Sequence, residues 1–252
     1  MKSKVFSYFL LLVAAITFSC RETTALDPVK TKPYKVLVFA KTAGFHHASI
    51  AVGIPAIKKL GADHNFTVDS TTDSTQFTGA NLKQYAAVIF LNTTGNVLNE
   101  QQQEAFEQYI NKGGGFVGVH AATDTEYDWP WYGKLVGAYF VAHPEQQVAT
   151  LTIVNRTSLA TRHLPETWSR KDEWYNFKNI NPDLKVLIRL DESTYKGGTN
   201  GTSHPMAWYH DYDGGRAFYT GLGHVDASYS DPLFLKHLLG GIEYAAGQRK
   251  ME

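Results

Sequence analysis

Ten histidines are many for a chain of 252 residues, and four of them stand where chemistry is commonly done. His47, His120, His143 and His224 each fall at a loop start or at the end of an apolar run. Neutral imidazole is the usual nitrogen ligand for zinc and a ready acid or base near neutral pH. The set therefore points to a divalent-metal centre or to a proton relay, provided its members converge. Each has a plain alternative as a hydrogen-bonded rim or core side chain. His46 and His47 are adjacent and point apart in most geometries, so at most one of them faces a cleft. His64 and His237 read as helix-end or surface residues.

The acidic candidates are Asp124, Glu126, Asp172 and Glu173. "DEWY", residues 172–175, puts two carboxylates beside two aromatics in what reads as a polar loop. A carboxylate can hold sugar hydroxyls while a ring covers a C–H face; the alternative is a solvated loop. "YDWPWY", residues 127–132, is a cleft wall or a packed corner.

In "GGGFVGVHAATD", residues 113–124, an apolar strand runs into a sharp turn at His120. Many α/β hydrolytic enzymes carry serine or cysteine at such a turn. The sequence contains no G-x-S-x-G, no Walker loop and no G-x-G-x-x-G after a strand, so covalent acyl chemistry and phosphate cradling are not indicated. Glycines 113–115 precede the strand and stop a helix.

The elements that must position these residues follow from periodicity. Residues 34–40, 66–69, 86–92 and 116–119 read as strands. A helix is expected over 49–60, with Pro55 as an awkward interior residue and Gly61 as its stop. Asn99 with Gln102 reads as a capping box, followed by an apolar stripe of Ala105, Phe106, Tyr109 and Ile110. Alternating strands and helices imply a parallel sheet covered on both faces, with ligands at the carboxyl ends of its strands. The loops at 44–47, 92–95 and 120–124 should therefore share one rim. The second half is richer in strands, at 148–154, 184–190, 206–209 and 216–220. Asp231-Pro232 then starts a helix that should bury Leu233, Leu235, Leu238, Leu239 and Ile242.

Lys2 and Lys4, the apolar residues 6–18 and Cys20 read as a secretory signal of lipoprotein type over residues 1–20. The alternatives are an ordinary cleaved signal or an uncleaved anchor. Residues 21–33 read as a linker and 34–250 as one domain. Cys20 is the only cysteine, so the domain has no disulfide, thiolate ligand or cysteine nucleophile. With 24 basic and 24 acidic residues, nothing suggests a nucleic-acid partner. The 13% aromatic content suits sugar faces and ordinary cores alike.

Five segments, "KVLVFAKTAGFHHASI", "GGGFVGVHAATD", "HPE" at His143, "DEWY" and "GRAFYTGLGH", occur in this order. Together they resemble the ThuA-like (trehalose utilisation) family, over about residues 34–247. The resemblance implies an α/β flavodoxin-like three-layer α/β/α sandwich like that of class I glutamine amidotransferases, with a mostly parallel central sheet and a β-rich second half. Those enzymes carry cysteine at the elbow; His120 takes that place here, so glutaminase chemistry is not implied. His47 matches the family's histidine before the first helix, and His143, Glu173 and His224 match its later motifs. Pro55 departs from the pattern by lying deep in the first helix.

The resemblance also implies disaccharide or 3-keto-glycoside catabolism beside a sugar oxidoreductase. The expected catalytic residues are His120, Glu173 and Asp124. The substrate-binding set is His47, His143, Tyr175, Trp208 and His224, and the metal set His47, His120 and His224, for an ion such as zinc. A 3-keto group acidifies the neighbouring C–H, so a base can drive isomerisation or loss of the glycosidic oxygen. The competing readings are a non-catalytic periplasmic sugar-binding lipoprotein and a structural module. The expected partners are a small sugar and, through the lipid anchor, a membrane; a homo-oligomer is left open. The expected location is periplasmic or cell-surface. Cys20→Ala should accordingly release soluble or unprocessed protein, and membrane fractionation with an unchanged partition would contradict a lipid anchor.

Overall fold

The computed structural model describes residues 32–252. The signal and Cys20, and the linker up to residue 31, lie outside the described residues. Among the described residues nine strands form one sheet. β1 (Tyr34–Phe39), β2 (Phe66–Thr71), β3 (Ala87–Leu91), β4 (Gly115–Val119) and β11 (Gly215–Thr220) run parallel. β10 (Pro205–Tyr212), β9 (Lys185–Asp191), β6 (Gln147–Ile153) and β7 (Thr167–Asp172) extend the sheet antiparallel. β5 (Tyr139–Ala142) and β8 (Asn176–Lys178) form a separate pair. The order 2-1-3-4-11 is the flavodoxin-like one, with β11 supplying the fifth parallel strand from the end of the chain.

A single helical turn, α2 (Gly79–Leu82), precedes β3. Side chains that alternate along the central strands feed two helical layers. Phe90 and Phe116 meet Phe106 of α3 (Glu100–Asn111) and Tyr132 of α4 (Pro130–Val136). On the other face Phe218 meets His237 of α5 (Pro232–Ala245). A Cβ at Gly53 of α1 (Ile50–Asp63) would come within 3.1 Å of the Leu91 side chain. Tight packing here is worth roughly 25 cal/mol per Å² of apolar surface removed from water.

Local signals set the helix ends. Asn99 and Gln102 exchange both capping-box hydrogen bonds. Asp231 caps α5 through the Leu233 amide, with Pro232 at the first helical position. α1 differs from expectation: it passes through Gly61 and ends at Asp63, because the left-handed residue is Asn65, at φ 64°. Pro55 is tolerated because it and Ala51, whose carbonyl loses its i+4 donor, are both exposed to water. "YDWPWY" is a packed corner: Trp129 stacks on Trp131 and Tyr132 where α4 begins. Among the described residues no helix is long and apolar enough to cross a membrane.

His237 is not a surface residue. It is fully buried, and its Nδ1–H donates to the Ala160 carbonyl at 2.9 Å. Leu233 and Leu235, by contrast, are half-buried, while Phe234 is fully buried. Burial holds the His237 imidazole down to about 3 from 6.5. Between those values the unfolded chain binds a proton that the folded one refuses, so stability falls as pH drops below 6.5. The slope for one such group is up to about 1.4 kcal/mol per pH unit. Urea unfolding should show lower stability at acidic than at neutral pH, with the difference reduced in His237→Leu. Equal pH dependence in the two proteins would contradict this.

Candidate active site

The carboxyl ends of the parallel strands share a rim, the usual ligand-binding edge of an open α/β sheet. Isolated bridges join Thr42 to Thr94 and Gly95 to Thr125, tying the loops after β1, β3 and β4. Buried Asn92 donates to Ser49 Oγ at 3.0 Å, and Ser49 donates to the Gly223 carbonyl at 3.2 Å. That chain adds the loop after β11. Gly223 has φ 107°, and a Cβ there would press on Tyr229 and Val119, so the turn before His224 requires glycine.

His120 sits at φ 47°, in the left-handed region that β-carbon sterics disfavour. Tyr219 of the neighbouring strand donates to its carbonyl at 2.7 Å, and Thr123 does so at 3.3 Å. The elbow is thus held from both sides. Gly118 and Ala122 are buried against each other rather than opening the turn to a ligand: a Cβ at Gly118 would stand 3.2 Å from Ala122 Cβ.

His47, His120 and His224 converge. Their ring centroids lie 5.1 Å (47–120), 5.2 Å (47–224) and 5.0 Å (120–224) apart. Glu173 completes the cluster, and one ligand atom from each of the four residues lies within 4.8 Å of the others. Three of the atoms touch: His120 Nε2 to Glu173 Oε2 at 3.3 Å, His224 Nδ1 to Glu173 Oε2 at 3.1 Å, and His224 Nδ1 to His120 Nε2 at 3.2 Å. His120 Nδ1 is 3.0 Å from the Gly221 carbonyl, which can only accept, so the neutral ring carries its hydrogen there. His120 Nε2 and Glu173 Oε2 are then two acceptors in contact. One hydrogen on His224 Nδ1 can be shared between the two as a three-centre bond, which satisfies neither acceptor fully. An ion held between them would serve all three atoms at once.

The donor set fits a metal. Edges of a tetrahedron with bonds of 2.0–2.1 Å are about 3.3–3.4 Å, close to the three contacts. The Gly221 carbonyl directs the His120 Nε2 lone pair inward, as metal-bound histidines require. Burial, with His120 and His224 adding to it, holds His47 at about 3, so it is a neutral donor. Its Nδ1 is buried without a hydrogen-bond partner. For Glu173, burial pushes the carboxyl up, but the His120 and His224 imidazoles against it outweigh that and leave the group well below the usual carboxylate range.

The remaining sequence candidates divide. His143 is exposed; its Nδ1 is 3.3 Å from Glu173 Oε1 and 3.0 Å from the Pro144 carbonyl, which leaves Nε2 as the lone pair facing water. Tyr175 packs its ring on His120 at 4.2 Å and on Phe140 at 4.1 Å, and its hydroxyl lies 3.5 Å from His47 Nε2. Asp124 stays outside the four-donor group: its Oδ1 accepts from Tyr127 at 2.7 Å, and burial raises its carboxyl. Trp208 is a core residue, stacked on Tyr219 at 4.3 Å with its indole N–H on the Val136 carbonyl, so it has no face to offer a ligand. His120 is fully buried with both nitrogens engaged, so it has no lone pair open to a substrate.

"DEWY" is not a solvated loop; all four residues are buried. The Asp172 carboxylate accepts from the amides of Glu173 (3.1 Å), His224 (3.1 Å) and Gly223 (3.2 Å), and pairs with Arg170 at 3.3 Å. It therefore positions two of the four cluster residues. Gln146 reaches His224 Nε2 through its side-chain amide at 2.7 Å. Sequence reading did not single out Arg170 or Gln146; the signal for Arg170 is its place two residues before "DEWY", on the same face of a strand.

Residues 35–245 match the family profile described as ThuA: Trehalose utilisation. The chain belongs to the ThuA family. A solved Bacteroides uniformis protein described as ThuA-like is 26% identical, with a TM-score of 0.75 over 90% of this chain and 96% of that one. A Parabacteroides merdae protein so described is 23% identical, with a TM-score of 0.72 over 88% and 93%. A Thermoplasma acidophilum protein named as a candidate GMP synthase component shares the fold at 11% identity, with a TM-score of 0.53 over 85% and 94%. Among curated proteins none matches the chain.

Asp172→Ala would leave three amides without their acceptor, while Arg170 keeps Asp231 as a partner at 3.3 Å. Buried donors left unsatisfied cost about 1–3 kcal/mol each, so the total is on the order of 3 kcal/mol or more. Chemical denaturation should show a loss of that size, and a change below about 1 kcal/mol, within the range of an exposed pair, would contradict the positioning role.

Proposed function

We propose that this ThuA protein transforms a carbonyl-bearing saccharide by metal-assisted acid–base chemistry. The observation that carries the reading is the convergence of His120 Nε2, His224 Nδ1 and Glu173 Oε2, three buried ligand atoms 3.1–3.3 Å apart that a single cation would satisfy together.

His47, His120, His224 and Glu173 would hold a zinc or another first-row divalent ion suited to imidazole and carboxylate. Such an ion supplies Lewis-acid polarisation of a carbonyl oxygen. His143, at the exposed edge, removes the proton from the carbon next to the carbonyl. Its Nδ1–H is held by the Pro144 carbonyl and Glu173, so the proton arrives at Nε2. In a 3-keto-glycoside the electron pair left on C2 can expel the oxygen at C1. The C2–H and C1–O bonds break, a C1=C2 double bond forms, and the leaving alcohol takes up a proton. Return of the proton elsewhere on the ring gives isomerisation instead. Tyr175 stays protonated, because burial and then the Glu173 charge raise its hydroxyl far above its ordinary value. It is therefore available as a hydrogen-bonding hydroxyl and not as a base. The same reading includes export with a lipid anchor at Cys20 and an oxidoreductase that supplies the keto sugar.

The test separates metal from proton transfer. Protein purified without chelator should contain about one divalent ion per chain. His120→Ala should lose both metal and turnover on 3-keto-trehalose. His143→Gln should keep the metal and lose roughly 10²–10⁴-fold in kcat. Full activity in metal-free protein would overturn the reading, as would full activity in His143→Gln.

A further inference from the structure

Beside the buried cluster stands a side chain that the mechanism above does not use. Phe45 is 66% exposed, more than any other large hydrophobic residue described. It lies two residues before His47 and meets that ring edge-on, with centroids 4.9 Å apart at 84°. Single exposed hydrophobics are common on protein surfaces and need no explanation. Phe45 differs in two respects, the rigidity of its backbone and its neighbour.

The loop that carries it is fixed at every residue around it. The Ala43 amide donates to the Thr94 carbonyl at 2.7 Å, the Gly44 amide meets Thr94 Oγ1 at 3.2 Å, and Thr94 Oγ1 donates to the Phe45 carbonyl at 2.9 Å. Behind the loop, a Cβ at Gly95 would stand 3.2 Å from Ala43 Cβ, so nothing larger fits. The ring is therefore held out in water by a built scaffold and does not merely protrude from a loose segment. At the His143 end of the cluster, Val141 is 52% exposed and Phe140 stacks on His143 at 5.9 Å. Exposed His46, His143 and Gln146 add polar groups near these apolar ones.

A pyranose has the matching pattern, an apolar C–H face bounded by hydroxyls. The electron-rich face of an aromatic ring attracts the slightly positive C–H groups. We propose that Phe45 is the platform on which the saccharide ring rests before its carbonyl-bearing carbon reaches the cluster. The assignment rests on the saccharide reading above and makes Phe45 a specificity-determining residue.

Calorimetric titration of α,α-trehalose into the full chain tests it, with wild type, Phe45→Ala and Phe45→Trp compared. Phe45→Ala should bind roughly tenfold more weakly. Phe45→Trp should bind at least as well as wild type and change its fluorescence on saturation. The kinetic counterpart on 3-keto-trehalose is a raised KM with kcat nearly unchanged in Phe45→Ala, the pattern of lost ground-state binding. Equal affinity in wild type and Phe45→Ala overturns the platform, and so does an absence of binding to wild type. The outcomes also separate the two proposals. Weakened binding in Phe45→Ala with full turnover in His143→Gln leaves the platform standing and removes the catalytic reading. The converse pair removes the platform alone.

Discussion

The Asp172 carboxylate takes the amides of Glu173, Gly223 and His224, and so joins the last antiparallel strand to the loop that leaves the parallel half. The two halves of the sheet are laid down by different rules. The parallel strands deliver His47, His120 and His224 by the ordinary geometry of a doubly wound fold, in which every strand opens onto the same rim. Glu173 comes from the far end of the sheet and reaches that rim because Asp172 fastens it there. A buried carboxylate is costly unless its charge is matched. Arg170, itself stacked over Trp168 and close to the Phe234 ring, provides the match.

The elbow shows how one backbone geometry serves different chemistry. A left-handed residue after β4 lifts its side chain to the rim whatever that side chain is. With a thiol or hydroxyl there, the position suits covalent attack. With imidazole, the Gly221 carbonyl fixes the tautomer and the remaining nitrogen becomes an inward-facing donor. Glu173 and His224 then complete a cluster of three imidazoles and a carboxylate.

Much of this was legible in the sequence. Strand–helix alternation gave the layers, and the Asn99–Gln102 and Asp231–Pro232 signals marked helix starts where they occur. The rim histidines could be picked out because strand ends are where open sheets bind ligands, and His47, His120 and His224 do meet. The failures share a physical cause. "DEWY" reads as polar because, Arg170 apart, the groups that bury its carboxylates lie far along the chain: the Gly223 and His224 amides and the His120 and His224 rings. His237 reads as a surface residue because imidazole is polar, yet one hydrogen bond to Ala160 is enough to bury it. Trp208 has a sugar-binding composition and a core location, and only packing separates the two. Gly118 and Ala122 are small for the sake of the turn's own packing.

The strand order carries a consequence for synthesis. β4 has β3 on one side and β11 on the other, yet β11 begins at Gly215 and β4 ends at Val119. A chain emerging from its N-terminus therefore presents β4 as a long-lived open edge, with its amides and carbonyls free to pair with a stranger. Non-local pairing of this kind is slow to form and exposed to aggregation while it waits. That edge closes only when residues 215–220 take their place beside it.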